Sequence, residues 1–229
     1  MKTKNNFLVS TVIFLLCIGC NPDNDILPEG TQKESEFGTL RGIIENYIPG
    51  LIDKIEVNKV YSDSLTGDED EHLLGSAKVN TSGEFSLYLI DLPSHLIIDA
   101  DYWLSNFTLK RDCVFYSMDF YEILVYKGTM NVGRIVKTNF NKWTDIDSFF
   151  RSFGKDGTVV FMLYSRTQFT MRGVHQDDYK FNFDVEIKKG WNEIAITKQQ
   201  DKVGYYYSSY TYTYTTTIPN DVKWRYFGY

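Results

Sequence analysis

Residue types that commonly perform catalysis are present in this sequence, but they do not form a catalytic pattern. His72, His95 and His175 lie far apart, and none has a second histidine at the His-x-x-x-His spacing of a metal site. Neither a serine nor Cys113 lies in a nucleophile elbow, and no glycine-rich phosphate loop follows a predicted strand. We therefore predict surface histidines, no metal, no cofactor and no enzyme activity.

Two acidic segments leave other chemistry open. The segment Asp63–Glu71 is rich in the carboxylates that calcium prefers, but it lacks EF-hand spacing, so a solvated hairpin loop is favoured. Ser64 in this segment matches a three-residue acceptor sequence for O-glycosylation, which would require an exposed loop. Asp177 and Asp178 could contribute to the carboxylate pair of a glycosidase, although the separation that this mechanism needs cannot be read from sequence. An envelope glycosidase is therefore the alternative function.

The run Tyr205–Thr217 is the segment most open to a binding interpretation. Side chains alternate along a strand, so one face would carry Tyr206, Tyr210, Tyr212 and Tyr214. Rows of tyrosines suit stacking on sugar rings and hydrogen bonding at a low cost in side-chain entropy. The alternative, which we favour, is an ordinary strand, because tyrosine and threonine both have high β-propensity.

The N-terminal segment predicts lipid attachment. Two lysines precede the apolar run 7–16, and Gly19 is the small residue that lets a signal peptidase cut before Cys20. Residues 1–19 are predicted to be a signal peptide with a lipobox, and Cys20 to carry acyl chains such as palmitate that bind the membrane. A transmembrane helix would need about 20 apolar residues, and this run is shorter, so a membrane-spanning helix is not favoured. A secretory peptide cut at another bond is the remaining alternative.

Composition argues against several partners. The 229 residues include 24 basic and 30 acidic side chains, a net charge of −6, and loss of Lys2 and Lys4 with the signal leaves 22 basic residues and a net charge of −8. An acidic chain argues against binding of nucleic acid and against attachment of a basic patch to anionic lipid.

Of the three cysteines, Cys113 alone would remain unmodified, so we expect stability to come from a hydrophobic core rather than a disulfide.

Residues 20–37 are predicted to be the lipidated cysteine and a flexible acidic tether, because they are polar, contain prolines and show no periodicity. Asp23 and Asp25 resemble the acidic surface-export signal of lipoproteins in Bacteroides-like bacteria. We therefore expect an outer-membrane protein that faces the cell surface, with the periplasmic face as the alternative.

The rest of the chain predicts an all-β fold of one or two antiparallel β-sandwich modules, because short segments of alternating polarity recur between turn signals. The first module, 38–100, is expected to contain four strands, the last two joined by a hairpin-type turn at Asn80–Gly83. The predicted strands are Thr39–Ile44, Lys54–Ser62, Leu73–Val79 and Glu84–Ile90.

The second predicted module, 101–229, is rich in aromatic residues and is either separate or shares one core with the first. Five further strands are expected there, at Tyr121–Lys127, Val132–Thr138, Val159–Met171, Tyr179–Ile187 and Trp191–Thr197, with a short helix at Ile146–Phe153. The alternation in Tyr179–Ile187 predicts a half-buried antiparallel strand.

Four short stretches carry a resemblance: Gly75–Asn80, Gly83–Leu87, Lys188–Asn192 and Val222–Trp224. Together they resemble a family of Bacteroides-type (Bacteroidota) lipoproteins of uncharacterised function. The resemblance implies a β-rich fold and a location in the cell envelope, and it implies no activity. The first strands are also similar to transthyretin-like or carboxypeptidase-regulatory-like β-sandwich modules. We predict a non-catalytic binding or structural envelope protein that contacts a glycan or another envelope protein through its Tyr-rich strand.

Overall fold

The computed structural model describes residues 37–62, 69–93, 115–118, 123–150, 154–176, 179–203 and 208–229. Residues Glu34–Tyr229 form one compact unit. The described part contains thirteen strands and one short helix, which confirms the predicted all-β fold. The strands are β1 (Thr39–Ile43), β2 (Lys54–Ser62), β3 (Glu69–Lys78), β4 (Glu84–Tyr88), β5 (Phe115–Met118), β6 (Ile123–Lys127), β7 (Met130–Thr138), β8 (Gly157–Ser165), β9 (Phe169–Gln176), β10 (Lys180–Ile187), β11 (Gly190–Val203), β12 (Ser208–Thr215) and β13 (Lys223–Gly228), and the helix is α1 (Trp143–Phe149).

These strands form two sheets that are joined by backbone hydrogen bonds. Strands β1 and β4 form a two-stranded antiparallel sheet, and the larger sheet has the order β3-β2-β6-β7-β8-β11-β12-β10-β9, with β13 paired to β7 and β5 to β8. The Glu45 amide donates to the Trp224 carbonyl, and the Ile90 amide donates to the Leu74 carbonyl. The small sheet is thereby held against β13 on one side and β3 on the other.

The main hydrophobic core draws residues from both predicted modules. Strand β2 pairs with β6, so a strand from the segment 38–100 and one from 101–229 lie side by side in the larger sheet. The buried residues of this core, which we call the main core, come from the two ends of the chain as well as its middle. They include Leu40, Ile55, Val57, Leu74, Leu87, Val125, Ile135, Tyr164, Trp191 and Trp224.

The turn at Asn80–Gly83 forms, but it makes a corner between the sheets. The Asn80 amide donates to the Glu84 carbonyl, and Asn80 Oδ1 accepts from the amides of Ser82 and Glu84. Gly83 has a φ of 81°, a conformation that glycine adopts readily. The pairing ends after one bridge between Val79 and Phe85, because β3 joins the large sheet and β4 the small one.

Two boundary predictions in the C-terminal half are wrong. The expected strand Val159–Met171 is two strands, β8 and β9, separated where Ser165 Oγ donates to the Thr167 carbonyl at 2.7 Å. A serine side chain that bonds the nearby backbone competes with the sheet, which explains the break. The predicted helix begins at Trp143 rather than Ile146 and ends at Phe149, with Ile146 and Phe149 buried.

Three further corrections concern strands. β5 and β13 were not predicted, and β3 begins at Glu69, so the end of the expected acidic loop Asp63–Glu71 belongs to a strand; residues 63–68 lie outside the described residues. The sheet is also not purely antiparallel, because β10 and β12 run parallel.

Within the described residues, no helix has the length and hydropathy required to cross a membrane.

Candidate binding site on an aromatic sheet face

An unusual strand order brings two aromatic segments together. Although β10 is followed directly by β11, the later strand β12 lies between them, parallel to β10 and antiparallel to β11. This register sets Phe181 opposite Tyr212 and Phe183 opposite Tyr214. On the outer side of β10, strand β9 sets His175 opposite Phe181.

The side chains of these strands form one surface, because alternate residues of a strand share a face. We call this surface the aromatic face. It consists of His175, Tyr179, Phe181, Phe183, Tyr210, Tyr212 and Tyr214. The threonines of β12 point the other way, and on this opposite face Asn182 Nδ2 donates to Thr213 Oγ1 at 3.4 Å.

The rings of the aromatic face stack on one another across the strands. Phe183 and Tyr214 have centroids 4.9 Å apart and planes 17° apart, and Phe181 and Tyr212 have centroids 5.5 Å apart and planes 18° apart. Nearly parallel rings at these separations are offset-stacked. His175 extends the row, because its ring is stacked on that of Phe181 with centroids 6.2 Å apart. The rings therefore form one continuous row across β9, β10 and β12.

On its apolar side, β10 becomes more buried from Phe181 to Ile187. Ile187 and Val185 are fully buried in a small cluster with Ile194, whereas Phe183 and Phe181 are half-buried. The aromatic face is thus continuous with a hydrophobic core at one end and accessible at the other. On the apolar side of the predicted half-buried strand Tyr179–Ile187, full burial is therefore limited to Val185 and Ile187.

Lys198 lies on the same side of the sheet as the aromatic face, because it is the register partner of Tyr212. Its side chain is 1% exposed, and Nζ lies 4.3 Å from the ring centroid of Tyr210 and 5.7 Å from that of Tyr212. Nζ also donates to the carbonyl of Phe149, the last residue of α1, at 3.0 Å. Burial lowers the pKa of the Lys198 ammonium, and the charge of Asp156 opposes this shift. The helix C-terminus favours a cation, so the ammonium joins α1 to the sheet.

The tyrosine hydroxyls of the face are held in the protonated form. Burial raises the pKa of Tyr212, with smaller contributions from Tyr179 and Tyr210, and burial raises the pKa of Tyr214 to about 12. At neutral pH these hydroxyls are therefore neutral groups that can both donate and accept hydrogen bonds.

The predicted binding residues are distributed unevenly. Tyr212 and Tyr214 are partly exposed on the aromatic face, Tyr210 is 2% exposed beside Lys198, and Tyr206 lies outside the described residues. Sequence reasoning missed Phe181 and Phe183 as members of this surface. Their alternation was visible, but the parallel pairing with β12 was not.

The other predicted sites are mostly outside the described part of the chain. This applies to Gly19, Cys20, Ser64, His95, Cys113, Asp177 and Asp178. Of the remaining histidines, His72 lies in β3 and His175 is on the aromatic face. Within the described residues, no group of three or more histidine, cysteine or acidic side chains is placed to hold a metal ion.

Comparison of the chain with protein-family models, curated proteins and solved structures finds no match. The fold and the described surface define an all-β protein with an aromatic sheet face, and the two resemblances noted in the sequence remain predictions.

Proposed function

We propose that this protein is a non-catalytic binding protein that recognises a glycan through its aromatic face. One observation carries the proposal: the rings of Phe181, Phe183, Tyr212 and Tyr214 are aligned across two strands and remain partly exposed. An isolated large aromatic on a surface needs no explanation, but a contiguous row is typical of a binding site.

The chemistry of this row suits carbohydrate. Sugars present C–H groups, which pack on aromatic rings, and hydroxyls, which exchange hydrogen bonds with phenols. Because the rings are already stacked on each other, few side-chain rotamers are lost when a ligand binds. The partly exposed rings also belong to neighbouring strands, which suits a polymer that lies across them.

The glycosidase alternative has less support from the described residues. The acids on β10, Asp184 and Glu186, are exposed on the opposite face, and Arg172 of β9 pairs with Asp184 there. A glycosidase needs two carboxyl groups that flank the bond to be cleaved. Asp177 and Asp178 lie outside the described residues.

The binding proposal is tested with the full chain in detergent, by affinity electrophoresis and calorimetry against neutral and acidic polysaccharides. The variants Phe181→Ala and Tyr212→Ala should each weaken binding of whichever glycan is retained by about tenfold, since each removes a stacked ring. Thr213→Ala, on the same strand but the opposite face, is the matched control. Retention of no glycan, or equal binding by all variants, would overturn the proposal.

We further propose that acyl chains on Cys20 hold the protein in the outer membrane, with the folded part at the cell surface. The support is the sequence pattern of charged, apolar and small residues before Cys20 and the acidic tether after it. Labelling with an alkynyl fatty acid should mark the wild-type chain and not Cys20→Ser. Protease added to intact cells should then degrade the protein, whereas protection until lysis would place it on the periplasmic side.

A further inference from the structure

We infer that the ligand of the aromatic face is an acidic polysaccharide, one that carries carboxylates or sulfates along its chain. This inference rests on the proposed function and specifies its ligand class. It follows from the absence of acidic side chains on the aromatic side of the described residues of β9, β10 and β12, whose four charged side chains, Arg172, Lys180, Asp184 and Glu186, lie on the opposite side, and from the position of Lys198 on the aromatic side.

The aromatic face lacks acidic side chains among the described residues of these three strands. Their acids are Asp184 and Glu186, both exposed on the opposite face. The aromatic face contains an imidazole, His175, and the Lys198 ammonium lies on the same side of the sheet, 5.7 Å from the Tyr212 ring centroid. In a chain with a net charge of −6, a face whose described side chains are all neutral or positive is electrostatically complementary to an anion.

Lys198 places a positive charge on this side of the sheet. It pairs with Tyr212 across β11 and β12, and its Nζ lies 5.7 Å from the ring centroid of Tyr212. Because Lys198 is only 1% exposed, little water screens its attraction for an anion that contacts this ring. Asp156 is the opposing charge near the ammonium.

The test compares two polymers that differ in charge and share their sugar, polygalacturonate and its highly methyl-esterified form, with the full chain in detergent. We expect the dissociation constant for polygalacturonate to be lower by about tenfold. Lys198→Met and His175→Gln should each reduce this ratio by about threefold, because each removes a group that favours the anion. Lys180→Met, which removes a charge from the exposed opposite face of β10, should leave the ratio unchanged.

The outcomes separate this inference from the proposed function. Equal binding of both polymers, or binding of neutral glycans alone, would overturn the acidic ligand class and leave glycan binding intact. Retention of no polysaccharide at all would overturn both. If Lys198→Met does not fold, His175→Gln still decides the question, because His175 is at the surface of the edge strand β9.

Discussion

The main core and the aromatic face are built from the same strand alternation but bury their aromatic residues differently. In the main core, Trp224 packs edge-on against Phe85 at 5.4 Å and Tyr164 against Trp191 at 5.2 Å, and all four rings are buried. On the aromatic face the rings stack in parallel pairs and stay partly exposed. Edge-on packing fills a three-dimensional interior, whereas parallel rows follow one sheet surface and leave one side open.

This difference indicates that the two regions serve different purposes. A buried aromatic contributes to stability through the area that it removes from water. A half-buried row contributes less to stability and keeps apolar area available for a ligand. Substitutions should therefore separate the regions: those in the main core should reduce stability, and those on the aromatic face should reduce binding.

Two glycines that lie within strands give the largest expected contrast. Gly133 and Gly173 have φ values of 150° and 140°, so alanine is strained at both positions by about 2 kcal/mol. A Cβ at Gly133 would lie 2.3 Å from the Phe227 carbonyl oxygen, whereas a Cβ at Gly173 would meet nothing within 4 Å. We expect Gly133→Ala to lose about 5 kcal/mol of unfolding free energy, or to prevent folding, and Gly173→Ala about 2 kcal/mol. Urea unfolding measures both; equal losses would contradict the packing of β7 against β13.

The second-largest contrast is expected when one side chain in each region is truncated to alanine. Leu87 is fully buried in the main core, so Leu87→Ala should cost about 3 kcal/mol and leave glycan affinity unchanged. Tyr212→Ala should cost about 1 kcal/mol, because its ring is only partly buried. A larger stability loss for Tyr212→Ala than for Leu87→Ala would show that the aromatic face is simply core.

Alkaline pH tests one tyrosine from each region. Burial, together with a hydrogen bond to Asp91, raises the pKa of Tyr164 to about 12, and burial raises that of Tyr214 to about 12. The folded state therefore keeps protons that the unfolded state releases above pH 10, so this stabilisation is complete below pH 10 and is lost as pH rises toward 12. Each tyrosine should contribute about 2 kcal/mol to the decline in unfolding free energy between pH 10 and 12. Tyr164→Phe and Tyr214→Phe should each flatten it in urea unfolding between pH 9 and 12; an unchanged slope would contradict the burial.

Ion pairs give the smallest contrast. Lys137 Nζ lies 2.7 Å from Glu193 Oε2, and these side chains are 16% and 28% exposed. Arg172 and Asp184, on the opposite side of the sheet from the aromatic face, are 69% and 74% exposed. Lys137→Gln should lower the unfolding free energy by about 1 kcal/mol, and Arg172→Gln by less than about 0.5 kcal/mol because solvent screens the pair. Thermal denaturation at low and high salt compares them, and a greater effect for Arg172→Gln would refute this ranking.

Sequence reasoning predicts local features of this fold better than their assembly. Strand Lys54–Ser62 and the buried side of β4 follow from alternation, because a period of two directly reports which side chains face the core. The insertion of β12 between β10 and β11 depends on contacts between distant segments, and no local pattern reports it. For the same reason the tyrosines of β12 were recognised as a row, while Phe181, Phe183 and Lys198 were not assigned to the same surface.

Hydroxyl-radical footprinting of the full chain tests the central claim most directly, because it reports the solvent exposure of individual aromatic side chains. Polygalacturonate is the probe, and Tyr229, which is 77% exposed and outside the aromatic face, is the internal control. We predict that the ligand lowers the oxidation rates of Phe181, Tyr212 and His175 and leaves that of Tyr229 unchanged. Unaltered oxidation of the aromatic face under conditions where the polysaccharide is bound would contradict the account.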